Sequence, residues 1–210
     1  MRDSIKLWRG GIPAISKEKV LEEMHFMAGT EHYLQASADY DEVLPVLYSS
    51  LRPAAAAAFC RMPDNCVPSL PIGTEVLGTV ITLGSEIQSV ADKFFIRGEY
   101  SKGLLANTAA DQLLFEYEKE VFDKLKQECV RHKVGVRRRY EAPEQMPVSI
   151  QSYICHVLDA ARNLGVRINR GNVLDPVKTL CFVFELSDDP REIALSHDCS
   201  NCEREDCEYA

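Results

Sequence analysis

Three cysteines and a histidine near the end of the chain carry its most specific chemical pattern. Cys199 and Cys202, in C-x2-C spacing, can turn two thiolates toward one metal ion, and Cys207 can close a third side after a short loop. Three thiolates leave a structural zinc site or an ordinary iron–sulfur cluster one ligand short. The fourth position is open to His197, another cysteine brought in by the fold, a carboxylate such as Asp206, or an exchangeable small molecule. Spacing does not separate zinc from iron–sulfur. The competing expectation is a flexible acidic tail with idle thiols, since termini are often disordered. The surrounding acids disfavour a free nucleophilic thiolate, because negative neighbours oppose ionisation unless a metal compensates it.

Arg137, Arg138 and Arg139, with Arg131 and Lys133 nearby, form the second chemically notable group. Guanidinium groups recognise carboxylate or phosphate through planar paired hydrogen bonds. A solvated strand end that pairs with Glu141 or Glu144 explains the same residues equally well. Strand alternation predicts Arg137 and Arg139 on one face and Arg138 on the other. Other chemistries lack their patterns. Gly73, Gly78 and Gly84 make no dinucleotide fingerprint, no G-x-S-x-G is present, and His25, His132 and His156 have no HExxH-type partner.

The elements that must position these groups follow from hydrophobic period and punctuation. Ser16 caps a helix extending toward Gly29, and a second helix is predicted from about Asp39 to Leu51, ended by Arg52-Pro53. Ala54 to Met62 is ambiguous between helix and strand, with bounding prolines tilting it to strand. Gly78 to Leu83 has the β-branched character of a buried strand. Ser85 is then expected to cap a helix closed by Gly98, followed by a long amphipathic helix from Ser101 to His132 that Gly135 ends. Val134 to Tyr140 is a predicted strand. Pro147 leads a helix from Val148 to Leu164, a hairpin turns at Asn169-Arg170-Gly171, and Lys178 to Leu186 is the last strand. Strands interleaved with helices without a regular repeat predict an α+β fold, a mostly antiparallel twisted sheet covered by helices.

Composition narrows the function classes. With 24 Lys and Arg against 32 Asp and Glu, the net charge of -8 argues against sequence-independent nucleic-acid binding. No apolar run approaches the roughly 20 residues a bilayer requires. No basic-apolar-small leader opens the chain, so the expectation is a cytoplasmic protein with its eight cysteines reduced.

Several segments, in order, resemble the activation domain of cobalamin-dependent methionine synthase in its stand-alone form. Gly78 to Gly98 is similar to the family's strand, Thr-x-Gly turn and helix, with Gly98-Glu99 as the step that follows. Tyr100 to Val121 resembles the long helix, and MPVSIQ, LGVRIN and LDPVKTLCFVFEL resemble the later helix, hairpin and strand. The tail, C-x2-C-x4-C-x-Y, resembles the cysteine-rich ending of stand-alone members. This resemblance implies binding of S-adenosylmethionine as methyl donor to a partner's oxidised cobalamin, which is reduced by one electron and remethylated. The family holds the donor along an Arg-x-x-Pro-Gly-Tyr turn. The matching residues here are Arg138-Arg139-Tyr140-Glu141-Ala142-Pro143, in which Arg138 is kept, Glu141 replaces Pro, Ala142 replaces Gly and Pro143 replaces Tyr. An alanine resists a positive-φ backbone, and Glu141 adds a negative charge where a ligand carboxylate would lie.

These readings set the expectations. Residues 1–51 form an N-terminal helical arm, 52–195 the α+β core and 196–210 the cysteine-rich tail. Arg138, Arg139, Tyr140 and Ala142 contact the ligand, while Cys199, Cys202, Cys207 and His197 hold zinc or an iron–sulfur cluster. The expected function is an accessory one in reactivating a corrinoid protein or cobalamin-dependent methyltransferase, which itself carries the cobalamin. A non-catalytic metal-binding or protein-docking module on the same fold is the alternative.

Overall fold

The alanine run after Pro53 is a strand, because both of its edges are paired and both of its faces are covered. In the computed structural model, which describes residues 4–11, 13–65 and 67–195, the chain begins with β1 (Lys6–Arg9), α1 (Lys17–Glu23) and α2 (Glu31–Ser50). It continues through β2 (Ala54–Arg61), β3 (Glu75–Thr82), α3 (Glu86–Ile96) and α4 (Tyr100–His132). β4 (Gly135–Glu141), α5 (Ser149–Val157), α6 (Ala160–Asn163), the short pair β5 (Arg167–Ile168) and β6 (Leu174–Asp175), and β7 (Thr179–Ser187) complete it. The main sheet has the order β1-β2-β3-β7-β4, and neighbouring strands are antiparallel throughout. The protein is therefore α+β, as the sequence predicts. Among the described residues no helix is long and apolar enough to cross a membrane.

Strand alternation divides the core in two. Leu77, Ile81, Phe182 and Phe184 face α1 to α4, joining Leu105, Ala109, Leu113, Tyr117 and Val121 of α4 and Val43 and Leu47 of α2. Val76, Val80 and Val183 face the other way, toward Ile150, Ile154 and Leu158 of the α5 layer and Met62, Val67 and Leu70 of the β2–β3 connection. β2 splits likewise, with Ala55 and Ala57 on the α4 side and Ala56 and Ala58 on the α5 side. Trp8 of β1, opposite Ala55, packs against the α4-side core. Gly78 sets the distance of the second layer: a Cβ there would lie 2.8 Å from Ile154 Cδ1, so α5 sits directly on the bare backbone.

Several helix limits differ from expectation for local physical reasons. The Ser16 hydroxyl accepts from the Lys19 N–H, as its cap role requires, but α1 stops at Glu23 rather than extending to Gly29. α2 starts at Glu31, eight residues before the predicted Asp39, because Thr30 caps it by accepting from the Tyr33 N–H. Ser85 is helical and makes no side-chain cap bond. α4 ends on Lys133 in the left-handed region at φ 57°. Gly135 instead opens β4, where a Cβ would fall 2.0 Å from the Asp189 carbonyl oxygen and 2.6 Å from that of Glu192. The predicted Val148–Leu164 helix is broken at Asp159, whose φ of 44° separates α5 from α6.

Candidate functional site

The edge strand β4 brings most of the candidate residues to one corner. Its outer edge is covered at the start by residues 192–194: the Val136 N–H donates to the Glu192 carbonyl at 2.6 Å, and the Ala194 N–H donates to the Val136 carbonyl at 2.9 Å. The register against β7 then slips between Val136, opposite Leu186, and Arg138, opposite Glu185. Arg137 is the extra residue. A bulge of this kind redirects a side chain, and Arg137 reaches Glu185 at 3.3 Å and Glu192 at 3.8 Å. It joins the face of Arg138 rather than that of Arg139, which corrects the simple alternation expected above.

Arg138 and Tyr140 do come together. The exposed Arg138 guanidinium lies 5.3 Å from the centre of the Tyr140 ring, a cation–π placement, and no carboxylate pairs with it among the described residues. Tyr140 is buried beneath it. The Tyr140 hydroxyl donates to Glu185 Oε2 at 3.0 Å and accepts from Ser69 Oγ at 2.8 Å. Burial, with the nearby Glu185 charge, pushes the phenol above its ordinary pKa, so it stays a protonated donor at neutral pH.

Arg139 points to the opposite face. Its side chain is 11% exposed and donates to Glu118 of α4 at 2.6 Å and, from Nε, to Glu141 Oε1 at 2.8 Å; a second nitrogen also meets Glu141. The guanidinium lies 4.5 Å from the Phe182 ring centre and 5.7 Å from that of Phe122. Burial raises the Glu118 carboxyl, with the Arg139 charge opposing that rise and Glu141 adding to it. Arg139 thus lies on the face opposite Arg138, as strand alternation predicts, although both residues are expected from the sequence to contact the ligand. Ala142 is half-buried at the start of the following turn and is not among the residues with positive φ. The Gly-to-Ala replacement therefore imposes no left-handed strain. Glu141 has its charge drawn to Arg139 on the α4 side, so it does not sit bare beside Arg138.

Glu118, Ser69 and Glu185 were not singled out from the sequence. They lie 21 and 71 residues from their partners Arg139 and Tyr140, and 45 from Tyr140, respectively. Only the β7 register, which sets Glu185 opposite Arg138, carries any signal for them.

Cys199, Cys202, Cys207 and His197, with the whole 196–210 tail, lie outside the described residues. Among the described residues no three His, Cys, Asp or Glu side chains group as metal ligands. Cys129, Cys155 and Cys181 are buried and Cys60 is half-buried, all as free thiols. Burial pushes Cys60, Cys129 and Cys155 to about 11.

This is an α+β protein built on a five-stranded antiparallel sheet, with an arginine that has no carboxylate partner among the described residues stacked on a tyrosine where the edge strand enters a turn. Among solved structures it is similar to the crystal structure of the MetH reactivation domain bound to AdoHcy. The TM-score is 0.62, and the match covers 93% of this chain and 82% of that chain at 11% identity. The likeness extends across the sheet and its helices and shows a shared fold. No protein-family model matches the chain, and no curated protein matches it.

Proposed function

We propose that the protein binds S-adenosylmethionine at the end of β4 and serves in the reductive reactivation of a corrinoid-carrying methyltransferase or its carrier protein. The observation that carries this reading is the state of Arg138. It is the one residue kept from the resembling turn, and it stands exposed and without a carboxylate partner among the described residues, in a fold shared with a domain crystallised with AdoHcy. The surrounding geometry supports it. The Tyr140 ring lies beneath the guanidinium, Ala142 does not take a positive φ, and Glu141 pairs with Arg139 on the far face. S-adenosylmethionine would supply the methyl group when bound. The chain's own residues would hold its carboxylate at Arg138 and present the donor to the corrinoid on the partner. The Cys199, Cys202 and Cys207 thiolates, with His197, would hold a metal; an iron–sulfur cluster would supply one-electron chemistry there, whereas zinc would only pin the tail.

Calorimetric titration with S-adenosylmethionine and with AdoHcy tests the reading. One-to-one binding by the native chain is expected, weakened at least about tenfold in Arg138→Ala, the size of one charge-assisted hydrogen bond. Absence of heat at millimolar ligand overturns it. In that case the closed Glu118–Arg139–Glu141 network supports the second reading, a docking or metal-binding module that keeps the fold without a donor site.

A further inference from the structure

Arg139 does more than fill a gap beneath the sheet. One planar group joins three parts of the molecule: Glu118 in α4, Glu141 at the head of the turn, and the Leu195 carbonyl, 3.5 Å from Nη1. The flat faces are sheltered by Phe182 and Phe122, so the fork has little freedom to reorient. Glu141 is held equally firmly. Its carbonyl accepts from the Gln145 N–H at 2.9 Å and the Met146 N–H at 3.2 Å, and its own N–H donates to Gln145 Oε1 at 2.9 Å. The residue that starts the turn is therefore fixed through its backbone to the turn and through its side chain to the helix layer. On the opposite face the Tyr140 hydroxyl is fixed to Ser69 and Glu185. The end of β4 is clamped from both sides, and Arg138 rides on the clamped strand.

We propose that Arg139 is a positioning residue: by drawing Glu141 against α4 it sets the strand end and turn that present Arg138, without touching the ligand itself. The proposal rests on the binding reading above. It assigns Glu118 and Glu141 to Arg139 as the two anchors, and it leaves the ligand's carboxylate to Arg138 alone.

The test is AdoHcy affinity by calorimetry, with the thermal midpoint recorded for each variant. Glu141→Gln keeps the side-chain length and the Arg139–Glu118 pair, so it is expected to fold. Affinity should fall about tenfold while the midpoint moves by less than about 5 °C, the pattern of lost pre-organisation rather than lost stability. Arg139→Lys, which keeps the charge but not the fork, should weaken binding to a similar extent. Leu47→Ala, in the α2 part of the core and on a helix that contributes nothing to the network, should lower the midpoint and leave affinity unchanged. Native affinity in Glu141→Gln, with Arg138→Ala still impaired, overturns the positioning role and leaves the binding reading standing. Equal weakening in Leu47→Ala also overturns it, because the effect would then follow stability. No binding by the native chain removes both.

Discussion

Gly135→Ala is expected to be among the costliest single-methyl additions to this protein. The new Cβ would lie 2.0 Å from the Asp189 carbonyl oxygen, 2.6 Å from that of Glu192 and 3.0 Å from the Asp189 carbonyl carbon, all backbone atoms with no rotamer to change. The segment after β7 must therefore withdraw from β4. Withdrawal breaks the Val136–Glu192 and Ala194–Val136 hydrogen bonds, each contributing about 1 kcal/mol. It also lifts Leu195, 5% exposed, partly out of the α4-side core, at about 1–2 kcal/mol. The stiffer unfolded chain of alanine returns roughly 0.5 kcal/mol. The net loss is about 3 kcal/mol, or roughly 6–12 °C in midpoint for a chain of this size. Urea unfolding followed by far-ultraviolet circular dichroism measures it, with the slope against denaturant expected to stay constant. A loss below about 1 kcal/mol would refute the reasoning, because residues 189–195 would then not be an integral part of the sheet edge.

Three further outcomes are expected. Tyr140→Phe removes the hydroxyl shared by Ser69 and Glu185 and should cost about 1–2 kcal/mol in the same urea assay; an unchanged midpoint would show that this clamp is idle. Because burial disfavours the charged form and holds Cys129 and Cys155 at about 11, on the order of one thiol in a thousand is ionised at pH 8. Brief alkylation of native protein should leave both unlabelled in peptide mass spectra, with the rate rising roughly tenfold per pH unit until unfolding; ready labelling at pH 8 contradicts this. Cobalt(II) added to the reduced full chain should give thiolate charge-transfer absorption that Cys202→Ser weakens, and a spectrum without such bands ends the metal proposal for the tail.

The fold was legible where long local patterns coincide with clear ends. The expected helix Ser101–His132 lies within one residue of α4, Tyr100–His132, because an apolar stripe persists over its whole length. β2 was legible only as a leaning, since five alanines favour helix and nothing local reveals that β1 and β3 flank them. β1 was not legible at all: four residues of alternation carry little signal, and its pairing lies almost fifty residues away in sequence. The break at Asp159 was equally hidden, because a lone left-handed aspartate leaves no mark in the hydrophobic period. At the site, alternation correctly separated Arg138 from Arg139, but the bulge that carries Arg137 to Glu185 depends on the β7 register and on Gly135 fitting beneath the segment after β7. Local sequence named the arginines, and distant carboxylates decide which of them is left without a carboxylate partner among the described residues.

Trp8, the single tryptophan of the chain, lies on the four-residue edge strand β1 and packs toward the α4-side core. Native indole fluorescence is therefore an optical signal from the N-terminal edge of the sheet, at the opposite end of the strand order from the Arg138 turn. Emission and helical ellipticity report separate regions of one molecule, and they diverge whenever residues 6–9 leave Ala54–Ala57 before the helices melt.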